Sequence, residues 1–478
     1  MRPRPPLIAL AVVAGCIRYT PAPLPDADPG RAVAAFHFRR LDDPGLGAFI
    51  AGVLGPASTG GWTEDRIALA ALYFRGDLAV ARAVVDEARA DEMTAGAWPP
   101  FSAEGSLSRT ARPLENTESG WSGSISATLT LELGGKRGAR VAAARAAAMA
   151  AALGVDATAW QLANEARAAE LDAIAADSDA TGTAAELAAV RTLAGLLRAR
   201  YDEGQLALSE LARSETDVRA VTVAAADADQ ARTGARVALA RALGVGFERA
   251  DTLALRATNV SSCAVLDSLA NTGGDRAAED SLTVRALRGR ADVGVALAEY
   301  AAADAGVRLE VAKQYPDLTL GPGLLWDQGI PGWIVNVGLP SILSGRNRGP
   351  IAAAEARRAA QGARVEVLED SVQEAIEGAI AGCRGLRHLV ATTDSLVAAT
   401  YEAADLADSA FQRGETGRTE VAIAQLARAR AVHAHRAAVG RYVEAGAVLD
   451  RAAGTWIGLI PRGPWPGPPE GDLPGPSR

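Results

Sequence analysis

Two glycine-marked segments of this chain lie 210 residues apart and keep the same internal spacing. Gly135-Lys136-Arg137-Gly138 is followed 69 positions on by the glycine of Arg200-Tyr201-Asp202-Glu203-Gly204. Gly345-Arg346-Asn347-Arg348-Gly349 is likewise followed, 69 positions on, by the glycine of Ala410-Phe411-Gln412-Arg413-Gly414. Both later motifs set an aromatic three residues before a glycine, and Glu210 and Glu420 keep the offset of 210. A missed repeat miscalls a whole fold, so it is read first. The chain reads as a duplication, and whatever one half folds into the other must fold into as well.

Between the paired glycines, Ala, Leu and Val recur at three and four residues with charges between them, the signature of a helix. Of 478 residues 107 are Ala and only 7 Phe, which points to long helices packed along small side chains. A 69-residue helix spans ~100 Å, a coiled-coil length. Helical patterning resumes after Gly204 and Gly414 and runs to about Leu243 and about Ala453. Each glycine therefore marks the apex of a helical hairpin, the alternative being a glycine tolerated inside one continuous helix. Shorter helices are expected over about Asp65 to Ala95 and about Ser281 to Gln314.

Ahead of each long hairpin the period switches from 3.6 to 2. Trp121, Gly123, Ile125, Ala127, Leu129, Leu131 and Leu133 alternate with Ser122, Ser124, Ser126, Thr128, Thr130 and Glu132, and Phe101 to Ser108 alternates in the same way. In the second half Leu318 and Leu320, then Trp333, Val335, Val337 and Leu339, follow the same rule, and no alanine occurs between Lys313 and Ile351. Strands of about ten residues with tryptophans at their ends suit a membrane barrel with an aromatic girdle; the alternative is two soluble hairpins packed on the helices. Four strands cannot close alone, because open edges in lipid leave backbone groups unpaired at several kcal/mol each. Other copies of the chain must complete the barrel. No run of 18 apolar residues follows the N-terminal segment, so no transmembrane helix is expected.

Residues 1–15 have the shape of a signal peptide: Arg2 and Arg4, an apolar run from Leu7 to Val13, then small residues before Cys16. Val-Ala-Gly-Cys resembles the bacterial lipoprotein signal, which implies lipid on Cys16 as the first mature residue, and Ile17 in place of Asp implies sorting to the outer membrane. The alternative is an ordinary signal peptide with a chance cysteine. Cys263 and Cys383 remain, and a disulfide between them is possible but not predicted. A net charge of -8 without a basic stretch argues against nucleic acid. Three cysteines and four histidines leave little material for a metal or thiol site, and His433 and His435, two apart on a helix, read as surface residues. Gly134-Gly135-Lys136 lacks the spacing of a phosphate loop. No catalytic constellation is present, so the chain reads as no enzyme and needs no cofactor beyond the covalent lipid.

A lipoprotein signal, a twofold repeat, two strand pairs each followed by a long helical hairpin, and the aromatic-x-x-Gly apex together resemble the TolC-type outer-membrane efflux family, over nearly the whole mature chain. Tyr315-Pro316-Asp317-Leu318-Thr319-Leu320 resembles the family's Pro-Asp-Leu start of a strand. Leu131-Glu132-Leu133-Gly134-Gly135-Lys136-Arg137 and Gly345-Arg346-Asn347-Arg348-Gly349 resemble the strand-to-helix turns of its heavy-metal (cobalt-zinc-cadmium) branch. Gly289-Arg290-Ala291-Asp292 departs from the family's Arg-Pro-Asp.

The resemblance implies a mainly α fold with membrane β, in which four strands per chain join a 12-stranded trimeric barrel above a periplasmic coiled-coil tunnel. It implies an exit duct of a tripartite efflux system, with a periplasmic adaptor and an inner-membrane pump as partners. Type I protein secretion, drug efflux or a structural coiled-coil lipoprotein are the alternatives. The apices, Arg200, Tyr201, Gly204 and Leu206 with Phe411, Gly414 and Gly417, would dock the adaptor unless they are solvated turns. Glu420 and Glu210 would line the constriction unless they are ordinary surface glutamates. The expected organisation is a lipidated extended segment over 16–60, a first repeat over 61–250, a connector over 251–280, a second repeat over 281–455 and a disordered Pro/Gly-rich tail over 456–478.

Overall fold

The computed structural model describes residues 19–22, 28–55, 61–110, 120–255, 262–263, 275–339 and 347–454. The signal peptide, Cys16, Gly345 and the tail lie outside the described residues. The first half runs α1 (Pro29–Phe38), α2 (Pro44–Leu54), α3 (Glu64–Phe74), α4 (Asp77–Ala95), β1 (Ser102–Arg109), β2 (Trp121–Leu131), α5 (Lys136–Asp202), α6 (Leu208–Leu243) and the short α7 (Phe247–Asp251). The second runs α8 (Asp275–Gly289), α9 (Ala291–Ala312), β3 (Leu318–Asp327), β4 (Ile330–Gly338), α10 (Arg348–Gln412) and α11 (Arg418–Ala453). One order of elements, a helix pair, a strand pair, a long helix and a returning helix, thus occurs twice.

α5 has 67 residues and α10 has 65, each about 100 Å long, and each turns back into a 36-residue partner. Large buried side chains concentrate in two clusters near the base of the returning helices. Leu162, Ala166 and Leu239 belong to the first, and Val372, Ile376 and Leu449 to the second, 210 positions on in each case. Away from these belts, a smaller third cluster of Val190, Val221 and Leu426 joins α5, α6 and α11.

Four details differ from the sequence reading. The two shorter helices are each broken, at Arg75-Gly76 and at Arg290. The segment expected to be extended holds α1 and α2, because Asp28-Pro29 and Asp43-Pro44 are helix starts: each Asp caps the amide two residues on, and each Pro takes the first helical position. α2 then buries Leu46, Phe49 and Ile50. Cys263 and Cys383 form a disulfide, with Cα atoms 5.4 Å apart, inside the second cluster. Finally, α5 contains an 18-residue window apolar enough by length and composition to cross a membrane, at mean hydropathy 1.3. Its apolarity is largely alanine, and none of that window is buried within the single chain.

The strands form one antiparallel sheet in the order β1-β2-β3-β4. The central pairing, β2 with β3, joins the two halves of the chain. β3 and β4 are linked by Gln328-Gly329, whose φ values of 51° and 102° suit a two-residue hairpin turn that follows the sheet's twist. The register puts Ile125, Leu324 and Trp333 in one row and Leu129, Leu320 and Val337 in another, all on one face. That face is bare: Trp333 is 86% exposed and Val335 66%. The opposite face carries mainly Ser, Thr and Gly, with the Ser106 and Ser124 hydroxyls 2.8 Å apart and Ser122 donating to Asp327 at 2.5 Å. Among the described residues β1 and β4 are unpaired on their outer sides.

Candidate functional site

Three levels along the molecule carry the expected functional residues: the strand-to-helix joints, a belt at the base of the hairpins, and the apices. At the first joint Gly134 and Gly135 both adopt left-handed backbone, with φ of 71° and 74°. Gly134 lies beneath Tyr315, where a Cβ would come within 2.8 Å of the ring carbon Cγ, so both its backbone angle and its space exclude a side chain. The buried Lys136 donates to Asp317 at 2.7 Å, and the amide of Leu133 donates to the same oxygen at 3.3 Å. The Gly-Gly-Lys turn of one half and the Tyr-Pro-Asp motif of the other therefore form a single clasp. At the second joint the left-handed residue is Asn347, φ 53°, whose amide donates to the Glu310 carbonyl at 2.8 Å and to its carboxylate at 3.0 Å. Hydrogen bonds from Lys313 and Asn347 hold the Glu310 carboxyl below its usual range. Gly349, expected in this turn, lies instead within the first turn of α10, with open space around it.

The apices are built alike. Gly204 N–H donates to Tyr201 O and Gln205 N–H to Arg200 O; Gly414 N–H donates to Phe411 O and Glu415 N–H to Ala410 O. This is the Schellman arrangement, and φ of +74° at both glycines explains why glycine stands there. The chain reverses direction at both positions. Leu206 is half-buried in its turn, whereas Gly417 is the N-cap of α11. Glu210 and Glu420 occupy the third position of α6 and α11, exposed and without an ion-pair partner among the described residues. The Glu420 carboxylate folds back over Gly417, 2.9 Å from where a Cβ would sit, the placement of a helix-capping acid. Tyr201 is half-buried, Phe411 lies under Arg418 at 5.9 Å, and Arg413 pairs with Glu415 at 2.8 Å through both nitrogens.

The belt carries features that the sequence reading missed. Arg75 grips Asp77 two residues on, and Arg290 grips Asp292 in the same way. Each arginine stem packs on a left-handed glycine that ends a returning helix, Gly244 or Gly454, again 210 apart. The Arg-x-Asp pair stands in both halves of the sequence, as Arg75-Gly76-Asp77 and as Arg290-Ala291-Asp292. Arg290 also stacks over Trp160 at 5.1 Å and donates to Ala452 O at 3.1 Å, tying one half to the other. Nearby, Arg167 binds Glu64 at 2.5 Å and approaches Asp450 at 3.6 Å. Glu170 is fully buried, and neither of its carboxylate oxygens accepts a hydrogen bond among the described residues. Burial pushes its pKa up to about 8; Glu64 and Asp65 add to the rise and Arg167 opposes it. No group of metal-binding side chains occurs among the described residues.

This combination, a four-stranded sheet with one bare apolar face set on two ~100 Å helical hairpins, has close counterparts among solved structures. The chain has the fold of the outer-membrane efflux channels. It matches the outer membrane protein VceC from Vibrio cholerae at 20% identity, covering 82% of this chain and 96% of that one with a TM-score of 0.63. The outer membrane channel CmeC of Campylobacter jejuni matches at 14% identity, over 82% and 85% of the two chains, TM-score 0.64. CusC matches at 19%, over 82% and 92%, TM-score 0.61. Residues 70–245, most of the first half, match the family described as outer membrane efflux protein. No curated protein sequence matches. Likenesses at these identities show the fold alone.

Proposed function

We propose that this chain is one subunit of a trimeric outer-membrane exit duct, in which three sheets close one barrel and the helical hairpins form the tunnel below it. The observation that carries the reading is the sheet: an apolar face exposed along its length, a polar opposite face, and two open edges. In water such a face is a liability, and in lipid the open edges are one. Closure with further copies removes both problems. Two copies would give eight strands, whose interior side chains fill, whereas three give a barrel with a lumen. Trp121, Trp326 and Trp333 gather within a few rows of the β3–β4 turn, the end away from the helices, where a barrel carries its interfacial aromatic belt. A structural rod would need none of this.

In this reading the apices meet a periplasmic adaptor coupled to an inner-membrane pump, and lipid on Cys16 anchors the chain beside its barrel. Glu420, with Glu210, rings the narrow end. Cargo is set by the pump, and heavy-metal cations are the first to test. A ring of carboxylates in a narrow pore favours cations.

Native mass spectrometry in detergent should show three chains, and the trimer should conduct in planar bilayers with a cation preference that Glu420→Gln weakens. A stable monomer with an intact β signal would overturn the shared barrel, and unchanged selectivity would remove Glu420 from the constriction. Cys16→Ser should abolish palmitate incorporation; retained label would reject the anchor.

A further inference from the structure

His433, expected on the surface from its spacing to His435, is half-buried between α11 and α5, where the second hairpin meets the first. Its side chain is 20% exposed, and its Nε2 lies 2.8 Å from Asp179 Oδ1. Its Nδ1 lies 3.9 Å from Glu186 Oε2. Glu186 also accepts from Arg430 Nε at 2.7 Å. The ring rests directly on Gly182, where a Cβ would come within 2.7 Å of the imidazole Cγ, so α5 presents bare backbone one turn from each carboxylate. Beside the ring is a cavity of about 710 Å³ that Asp179, His433 and His435 line, with Arg436, Arg441 and Glu444 on α11 and Leu171 on α5. His435 faces the other way, its Nδ1 3.2 Å from Thr393 on α10.

We propose that His433 is a proton-operated latch between the two hairpins. Histidine changes charge between pH 5 and 8. As imidazolium it donates from both ring nitrogens, one toward each carboxylate of α5, and pulls α11 onto α5. As neutral imidazole it has one donor only, and Arg430 alone balances the paired carboxylates. The facing charged and titratable groups are Asp179 and Glu186 from α5 and Arg430 from α11 itself, with His435, Arg436, Arg441 and Glu444 around the cavity. The cavity gives protons access and leaves room for α11 to shift. Because the latch lies within one chain, it does not depend on how many copies assemble.

Hydrogen exchange of the purified full-length protein in detergent tests this, read at residues 175–190 and 426–440 and corrected for intrinsic rates. Wild type should be about three- to tenfold better protected at pH 5.5 than at pH 8 in both stretches, the range of one partly buried ion pair. In His433→Gln the protection should be independent of pH, and in His433→Lys, which keeps a positive charge, it should be high at both values. A wild type without pH dependence, or a pH dependence that persists in His433→Gln, would overturn the latch.

Discussion

Replacing Cys263 and Cys383 together by alanine should lower the unfolding free energy by about 2–5 kcal/mol, with reductant having the same effect on wild type and none on the variant. The bond closes a loop of 120 residues, and long loops restrict the unfolded chain most. Both sulfurs are buried in the second cluster with Val372, Ile376 and Leu449, so the link also seats Cys263, from the segment between the two halves, on α10. Ser262, next to it, donates to Asp450 at 2.6 Å, which adds one polar tie at the same place. Thermal unfolding in detergent, with and without reductant, is the measurement. Equal midpoints for the oxidised protein and the alanine pair would show that the disulfide stabilises nothing.

Glu170→Leu should stabilise the protein at pH 8, by an amount on the order of 4 kcal/mol, and the gain should vanish toward pH 4.5. The sign follows from the proton. The folded carboxyl titrates at about 8 against an ordinary 4.5, so the folded chain keeps a proton that the unfolded chain has released. Its contribution is fully present below about 4.5 and is lost as pH rises through 8. Leucine carries no such proton, so its advantage grows over that window. The second half shows that the site accepts an apolar side chain: Ile380, 210 positions on, is buried in the equivalent belt. Stability curves for the two proteins that run parallel from pH 4.5 to 8.5 would show that Glu170 gives up its proton in the fold as readily as in the unfolded chain, and that burial does not raise its pKa.

How much of this could be read from residues alone depended on the range over which each signal acts. The hairpins were legible because a 3.6 period sustained over some 65 residues is hard to mistake, and the apices because a Schellman reversal demands glycine at Gly204 and Gly414. The strands were legible because Ser122 to Thr130 alternate without a break. Breaks within helices were harder: Arg75-Gly76 interrupts no period, and only the grip of Arg75 on Asp77 shows why the helix turns there. The disulfide and the His433 contacts join residues 120 or more apart in sequence, or on different hairpins, and no local pattern records them. α1 and α2 were a lapse of a different kind, since Asp-Pro at both starts is a local capping signal that was in plain view.

The pairing of β2 with β3 reaches further than its place in the sheet suggests. Inside one chain it is the contact between two halves with the same order of elements, each bringing one strand hairpin. In a closed ring of three chains, β4 would meet β1 of the next chain in the same sense. The ring is then six near-equal units in which every second junction has become covalent. The two halves differ within that frame, Ile380 being the counterpart of Glu170 and Cys383 that of Ala173, so such a wall would alternate between two chemistries around its circumference.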